Sequence, residues 1–128
     1  MMENRNNATL VAMDRKHAAQ YVLIGSLAFV FGYFGIDKFL SPLLWIGWIP
    51  EWLNGALGAS KETWLRIIGV IEILSAIGLL LPIRRLRQLA CIGMMLQLLG
   101  ILSQTGWNDV AARDINILLS ALALLLML

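Results

Sequence analysis

Apolar residues are grouped along this chain into four long runs, and the polar residues are concentrated between the runs. The runs cover residues 18–38, 63–81, 87–105 and 111–128. Each run approaches the roughly 20 residues that a helix needs to cross the hydrocarbon core of a bilayer. Residues 1–17 are polar and rich in Asn. The pattern predicts an all-α protein, an integral membrane four-helix bundle in which a polar segment, 1–17, precedes a single transmembrane domain, 18–128.

The segment between the first and second runs is too short and too broken to span a bilayer. Pro42, Pro50 and several glycines interrupt it, while Trp45, Trp48 and Trp52 fit one side of an interfacial helix. Indole rings favour the headgroup level of a membrane. We therefore expect a short interfacial Trp-rich segment between helices 1 and 2. It is either an aromatic belt that anchors the loop or a lid over a ligand pocket.

The composition supports a membrane protein and excludes several classes of function. Of 128 residues, 59% are hydrophobic and only 14% are charged, whereas a soluble domain is about a quarter charged. The net charge of +2 does not indicate nucleic-acid binding, because the basic residues lie beside the runs as topology signals. With one cysteine, Cys91, and one histidine, His17, the chain has no redox cysteine pair, and we expect no metal site and no covalent cofactor.

Basic residues predict the orientation of the spans. They cluster on one side of the bundle, at Arg5, Arg15 and Lys16 and again at Arg84, Arg85 and Arg87. The positive-inside rule places both termini in the cytoplasm of a multi-pass protein, which we assign to the plasma membrane of a prokaryote. The Trp-rich segment and the turn at Trp107 are then outside.

One carboxylate, Glu72, interrupts the second run. It lies roughly 12 Å along the helix from Trp64 and therefore inside the hydrocarbon. An acidic side chain at such a depth costs about 2.5–3.5 kcal/mol and normally has a partner on another helix. Lys38 or Arg113 could pair with it as a carboxylate, or Gln104 or Asn116 could hydrogen-bond to it as a neutral acid.

Polar residues from all four runs are expected at a similar depth in the outer leaflet. The candidate cluster is Lys38, Glu72, Gln104, Arg113 and Asp114, and the secondary candidates are Asp37, Arg66, Asn116, Trp45 and Trp48. The inner half holds few polar residues beyond Ser75, Gln97 and Ser120. The cluster either locks four helices together or forms a site that binds or protonates a ligand.

Three motifs resemble the DoxX family of small membrane proteins. Residues 32–42 read Gly-Tyr-Phe-Gly-Ile-Asp-Lys-Phe-Leu-Ser-Pro, like the end of that family's first span. Gly69-Val-Ile-Glu72 and the Leu-rich run to Pro82 are similar to its second span, and Arg113-Asp114 to the opening of its last. The family's name derives from a subunit of an archaeal thiosulfate:quinone oxidoreductase. The resemblance implies a four-span fold with Lys38, Glu72 and Asp114 as its shared polar core.

Two hypotheses on function follow, with a weaker third. The first is a quinone-linked subunit of a membrane redox complex, with the quinone head in an outer-leaflet site. The second is a non-enzymatic scaffold whose buried cluster is structural. For both we expect the lipid bilayer as environment and a further subunit or a second copy of the chain as partner. The third, a proton or solute carrier, is weakened by the apolar inner half and by the lack of an inverted repeat.

Overall fold

The computed structural model describes residues 2–128, with side chains from residue 7 onward, and most of these residues are helical. Helix α1 comprises Met2–Leu40, the short α2 Pro42–Trp45, α3 Lys61–Leu80, α4 Arg84–Thr105 and α5 Asp109–Met127. Three single 3-10 turns follow α2, at Ile46–Trp48, Glu51–Leu53 and Ala56–Gly58. No strand occurs in the part of the chain that the structure describes. The all-α architecture predicted from the sequence is confirmed.

Four of these helices are long and apolar enough to cross a membrane. The stretches are Asn7–Leu40, Lys61–Leu80, Arg84–Thr105 and Asp109–Met127. The helix bounds agree with the predicted spans to within three residues everywhere except at the start of the chain. There, α1 runs without a break through the polar segment, so its 39 residues extend for about 58 Å, almost twice the hydrocarbon thickness of about 30 Å. Residues 7–19 are almost entirely exposed along this extension.

The four long helices form a closed ring in the order α1, α3, α4, α5, and α1 makes its most extensive contact with α3. Their shared core consists of aliphatic, aromatic and sulfur-containing side chains, and its largest fully buried members are Leu79, Met94, Leu124 and Cys91. Large apolar side chains also cover the outside of the bundle, for example Phe29, Leu74 and Leu96. An outer surface of this kind suits a lipid environment.

Side-chain caps begin two of the helices. The Asn108 side-chain oxygen accepts a hydrogen bond of 2.9 Å from the backbone N–H of Ala111, at the start of α5. Ser60 caps α3 in the same way, through the N–H of Thr63 at 3.4 Å. Both caps lie at the end of the bundle where the Trp-rich segment, residues 41–60, joins α1 to α3. The polar residues described next lie at this end too.

Candidate functional site

Helices α1 and α3 meet backbone to backbone at two facing glycines. A Cβ added to Gly35 would lie 2.7 Å from Ile73 Cγ1 and 2.8 Å from the carbonyl oxygen of Gly69. Any side chain at Gly35 would therefore force a neighbour to move. Lys38 follows Gly35 by about one helical turn, and Glu72 follows Gly69 by the same interval. The close crossing thus brings Lys38 and Glu72 to the same level.

Lys38 and Glu72 form a buried ion pair. The ammonium nitrogen of Lys38 lies 2.9 Å from each carboxylate oxygen of Glu72. The two side chains are only 4% and 3% exposed. Removing two such charges from water costs several kcal/mol for each ion, which close contact and hydrogen bonding offset. Among the four partners that the sequence left open for Glu72, the structure therefore selects Lys38.

Two aromatic rings lie beside the Lys38 ammonium. Its nitrogen is 3.9 Å from the centroid of the Trp45 ring and 5.8 Å from that of Phe34. A desolvated cation–π contact of this kind is worth about 2 kcal/mol. The Trp45 indole N–H donates a 2.8 Å hydrogen bond to the carboxylate of Asp37. Trp45 thus contacts Lys38 through its ring face and Asp37 through its N–H, which attaches the Trp-rich segment to the end of α1.

A second ion pair lies at the start of α5. The Arg113 guanidinium donates two hydrogen bonds of 3.2 Å to one carboxylate oxygen of Asp114. Asp114 is 2% exposed, whereas the Arg113 side chain is 44% exposed. The Arg113 guanidinium carbon also lies 4.8 Å from the centroid of the Phe34 ring. The Phe34 ring therefore lies close to both cations, Lys38 and Arg113.

The two ion pairs border a small, largely enclosed cavity of about 40 Å³. Its polar lining consists of Lys38, Glu72, Gln97, Arg113 and Asp114. Apolar side chains supply the rest of the wall, including Phe31, Phe34, Trp45, Trp48, Ile49, Pro50, Ile68, Leu98, Ile101, Val110 and Ile117. An aromatic and aliphatic wall with a few convergent polar groups is typical of a small-molecule site.

Gln97 has no hydrogen-bond partner in this cavity. Its side-chain oxygen and nitrogen are both buried, and neither bonds to any group among residues 7–128. Leaving a buried polar group unsatisfied costs about 1–3 kcal/mol. A primary amide can both donate and accept, so Gln97 is chemically suited to a ligand that carries a carbonyl or a hydroxyl.

The structure assembles part of the predicted cluster and separates the rest. Six of the predicted residues line the cavity: Lys38, Glu72, Arg113, Asp114, Trp45 and Trp48. Asp37 does not line it but accepts a hydrogen bond from the Trp45 indole. Gln104 and Asn116 are exposed and do not line it. Arg66 is also exposed and lines a separate groove with Glu62. Helix rotation directs Arg66 and Asn116 away from the bundle centre, whereas Gln104 lies nearer the membrane surface than the cavity does.

Gln97 is the cavity residue that the sequence interpretation assigned to the opposite half of the bundle. The distance along each helix could have located it. Gln97 lies roughly 12 Å along α4 from Thr105, and Glu72 lies roughly 12 Å along α3 from Trp64. Equal depth from the same membrane surface places the two side chains at one level. Gln104, two turns nearer the surface, lies above this level.

Metal-binding side chains do not cluster here. Among the described residues, no group of three or more His, Cys, Asp and Glu side chains could hold a metal ion. Cys91 is buried as a free thiol in the apolar core, and His17 is exposed on the N-terminal part of α1. The chemistry of the cavity therefore rests on its ammonium, guanidinium, carboxyl and amide groups.

Comparison with known proteins gives one result. The model of a family described as the DoxX-like family matches residues 22–128, which include every residue of the cavity. No curated protein and no solved structure matches the chain. The resemblance seen in the sequence is confirmed, and with the four apolar helices it identifies a multi-pass membrane protein in a lipid bilayer.

Proposed function

The chain belongs to the DoxX-like family, and from this premise we propose that it is a quinone-linked subunit of a membrane redox complex. The ligand site is the cavity between the Lys38–Glu72 pair and Asp114. The observation that carries the proposal is the unsatisfied amide of Gln97, buried in an aromatic wall beside an ammonium group. In the proposed orientation this site lies at the depth of the outer leaflet of a prokaryotic plasma membrane, with both termini in the cytoplasm.

The chemistry of the cavity suits a quinone head in three respects. Lys38 can donate a hydrogen bond to one carbonyl oxygen, and the Gln97 N–H₂ can donate to another. Trp45 and Trp48 supply aromatic rings to the cavity wall, against which a quinone ring can pack. Glu72 or Asp114 can hold or pass a proton at a carboxyl oxygen. When bound, a quinone supplies an acceptor for two electrons and two protons, and the electrons come from a partner redox subunit.

The size of the cavity sets a condition on binding. An enclosed space of about 40 Å³ is too small for a ring, since a cavity of roughly 150 Å³ is what benzene occupies. The Trp-rich segment is hydrogen-bonded near its two ends, by Trp45 to Asp37 and by Trp64 to the carbonyl of Ala56. Trp48 and Pro50 line the cavity between these points. Displacement of this middle part, which also breaks the exposed salt bridge of Glu51 with Lys61, opens room for a ring.

A scaffold role is the second candidate, and the closed cavity favours it. In that role the Lys38–Glu72 pair joins α1 to α3 and the cavity stays empty of ligand. The surface of the bundle then recruits a membrane partner or a second copy of the chain. A carrier role is disfavoured, because the buried charged residues of the described chain, Lys38, Glu72 and Asp114, all lie at the site and leave no polar path across the bundle.

Replacement of Gln97 by methionine tests the proposal without breaking any hydrogen bond among the described residues. The purified protein in lipid nanodiscs is titrated with a short-chain quinone, and tryptophan fluorescence is followed at equal quinone concentration in the membrane. We expect saturable quenching in the wild type, and an affinity about three- to tenfold lower in Gln97→Met, which loses one hydrogen bond to the ligand.

Gln104→Met is the matched control, because it makes the same change at an exposed position of the same helix. Its quenching curve should match that of the wild type. Quenching that does not saturate in the wild type, or that saturates equally in both glutamine variants, would contradict the quinone site and favour the scaffold role.

A further inference from the structure

An apolar groove lies beside the cavity, on the outside of the bundle between α3 and α4. Ile68 lines it from α3, Gln97, Gly100 and Ile101 line it from α4, and Pro50 and Trp52 cover one end of it. Neighbouring Leu96 is 63% exposed, so this side of the bundle faces the lipid.

The groove and the cavity share part of their walls. Pro50, Ile68, Gln97 and Ile101 line both spaces. The cavity is therefore separated from the bilayer by the thickness of a few side chains rather than by a helix. One of the shared residues is Gln97, which no hydrogen bond fixes in place among the described residues. Its side chain can change rotamer without losing a contact of that kind.

We propose that this groove holds the hydrocarbon tail of the ligand whose ring occupies the cavity, and that the ligand passes between α3 and α4 from the bilayer. The inference rests on the proposed function and adds a route and a second subsite to it. The ligand class is then an amphipathic ring with a long apolar tail. The shared wall gives the tail of a ring buried among four helices a direct path to the lipid.

Two other grooves adjoin the cavity, and both are less suited to a tail. One is lined by the charged residues Lys38, Glu62 and Arg66, and the other by Asp37 and Arg113. Covering these groups with hydrocarbon would cost free energy, because they would lose contact with water and headgroups. At Gly100, by contrast, an added Cβ would find no atom within 4 Å, so the groove has free space at its centre.

The groove adds little to the affinity, since the tail makes equally good apolar contacts with lipid chains when it lies in the bilayer. The groove acts by leaving a path open, and blocking the path should exclude ligands that have a tail. Gly100→Phe places a ring in the free space. Gly25→Phe is the matched control, because Gly25 is an exposed helical glycine on α1 that also has no atom within 4 Å of an added Cβ.

The experiment compares a methylated benzoquinone that has no tail with its decyl-substituted homologue. Equilibrium binding to the full chain in nanodiscs is measured by tryptophan quenching at matched membrane concentrations. We expect Gly100→Phe to weaken binding of the decyl compound about tenfold or more and to change binding of the tailless compound less than about twofold. Gly25→Phe should change neither.

Gly100→Leu, a smaller obstruction, should give an intermediate loss for the decyl compound and covers the case in which Gly100→Phe does not fold. If both Gly100 variants change the affinities of the two compounds by the same factor, or change neither, the proposal that the groove holds the tail is overturned. Failure of the tailless compound to bind the wild type would overturn the proposed function itself. The two failures are therefore distinguishable.

Discussion

Replacing both members of the Lys38–Glu72 pair by methionine should separate the stability of the bundle from its ligand binding. Methionine is unbranched and apolar, and its volume is close to that of either residue. The set of variants is Lys38→Met, Glu72→Met and the double variant. Each single change leaves one charged group buried without its partner, and the double change leaves none.

The geometry sets the expected magnitudes. Unit charges 2.9 Å apart attract by about 6 kcal/mol at an effective dielectric constant of 20. Desolvation of the two ions costs several kcal/mol each, so the intact pair contributes little net stability. Removal of one partner exposes that cost, and each single variant should lose about 3–5 kcal/mol in the free energy of unfolding. The double variant should lie within about 1 kcal/mol of the wild type or be more stable.

Unfolding by sodium dodecyl sulfate in lipid–detergent mixtures, followed by circular dichroism, measures these free energies. The quenching titration with a short-chain quinone is run on the same four proteins. Binding should be lost in all three variants, including the stable double variant, because the ammonium donor is missing or mispositioned in each.

An exposed ion pair supplies the control. Lys61 and Glu51 also form a salt bridge, but the Glu51 side chain is 72% exposed. Their methionine variants should each change stability by at most about 1 kcal/mol. The reasoning is refuted if the Lys38/Glu72 double variant is destabilised by the sum of its two single variants, since the two residues would then be energetically independent.

Three further predictions concern the bundle and can be checked by the same unfolding assay. Gly35→Ala should lower the free energy of unfolding by about 1–3 kcal/mol because its methyl group clashes with α3. Gly32→Ala should be neutral, since the nearest atom to its added methyl group is at an ordinary 3.8 Å, and equal effects of the two variants would contradict the crossing geometry. Asn108→Ala should cost about 1 kcal/mol through loss of the α5 cap, and no change would show that the cap is dispensable. Met94→Ala should cost about 2–5 kcal/mol because Met94 is fully buried, and a loss as large in the lipid-facing Leu96→Ala would contradict the assignment of the core.

The convergence of Lys38, Glu72 and Asp114 could be predicted from the sequence, because the topology assigns all three to the outer half of the bundle. The structure brings all three to the cavity. The four spans were predictable as well, since their length is set by the thickness of the bilayer.

The rotation of each helix about its axis could not be predicted in this way. Arg66 and Asn116 have a suitable depth but point outward, and only packing against neighbouring helices determines that direction. Gln97 and Gln104 share a face of α4 by spacing, yet the deeper residue reaches the cavity. The contact of Trp45 with Lys38 depends on how the chain turns at Pro42, which the hydrophobic pattern does not encode.

The glycine crossing of α1 and α3 also determines how the protein can adapt to bilayers of different thickness. A helix longer than the hydrocarbon relieves mismatch by tilting. If α1 pivots by about 10° at Gly35, Lys38 lies only about 4.5 Å away and moves by less than about 1 Å. Ala19, roughly 24 Å along the same helix, moves by about 4 Å. The Lys38–Glu72 ion pair lies close to this pivot point. Helix α1 can therefore tilt in membranes of differing thickness while the polar site keeps its geometry.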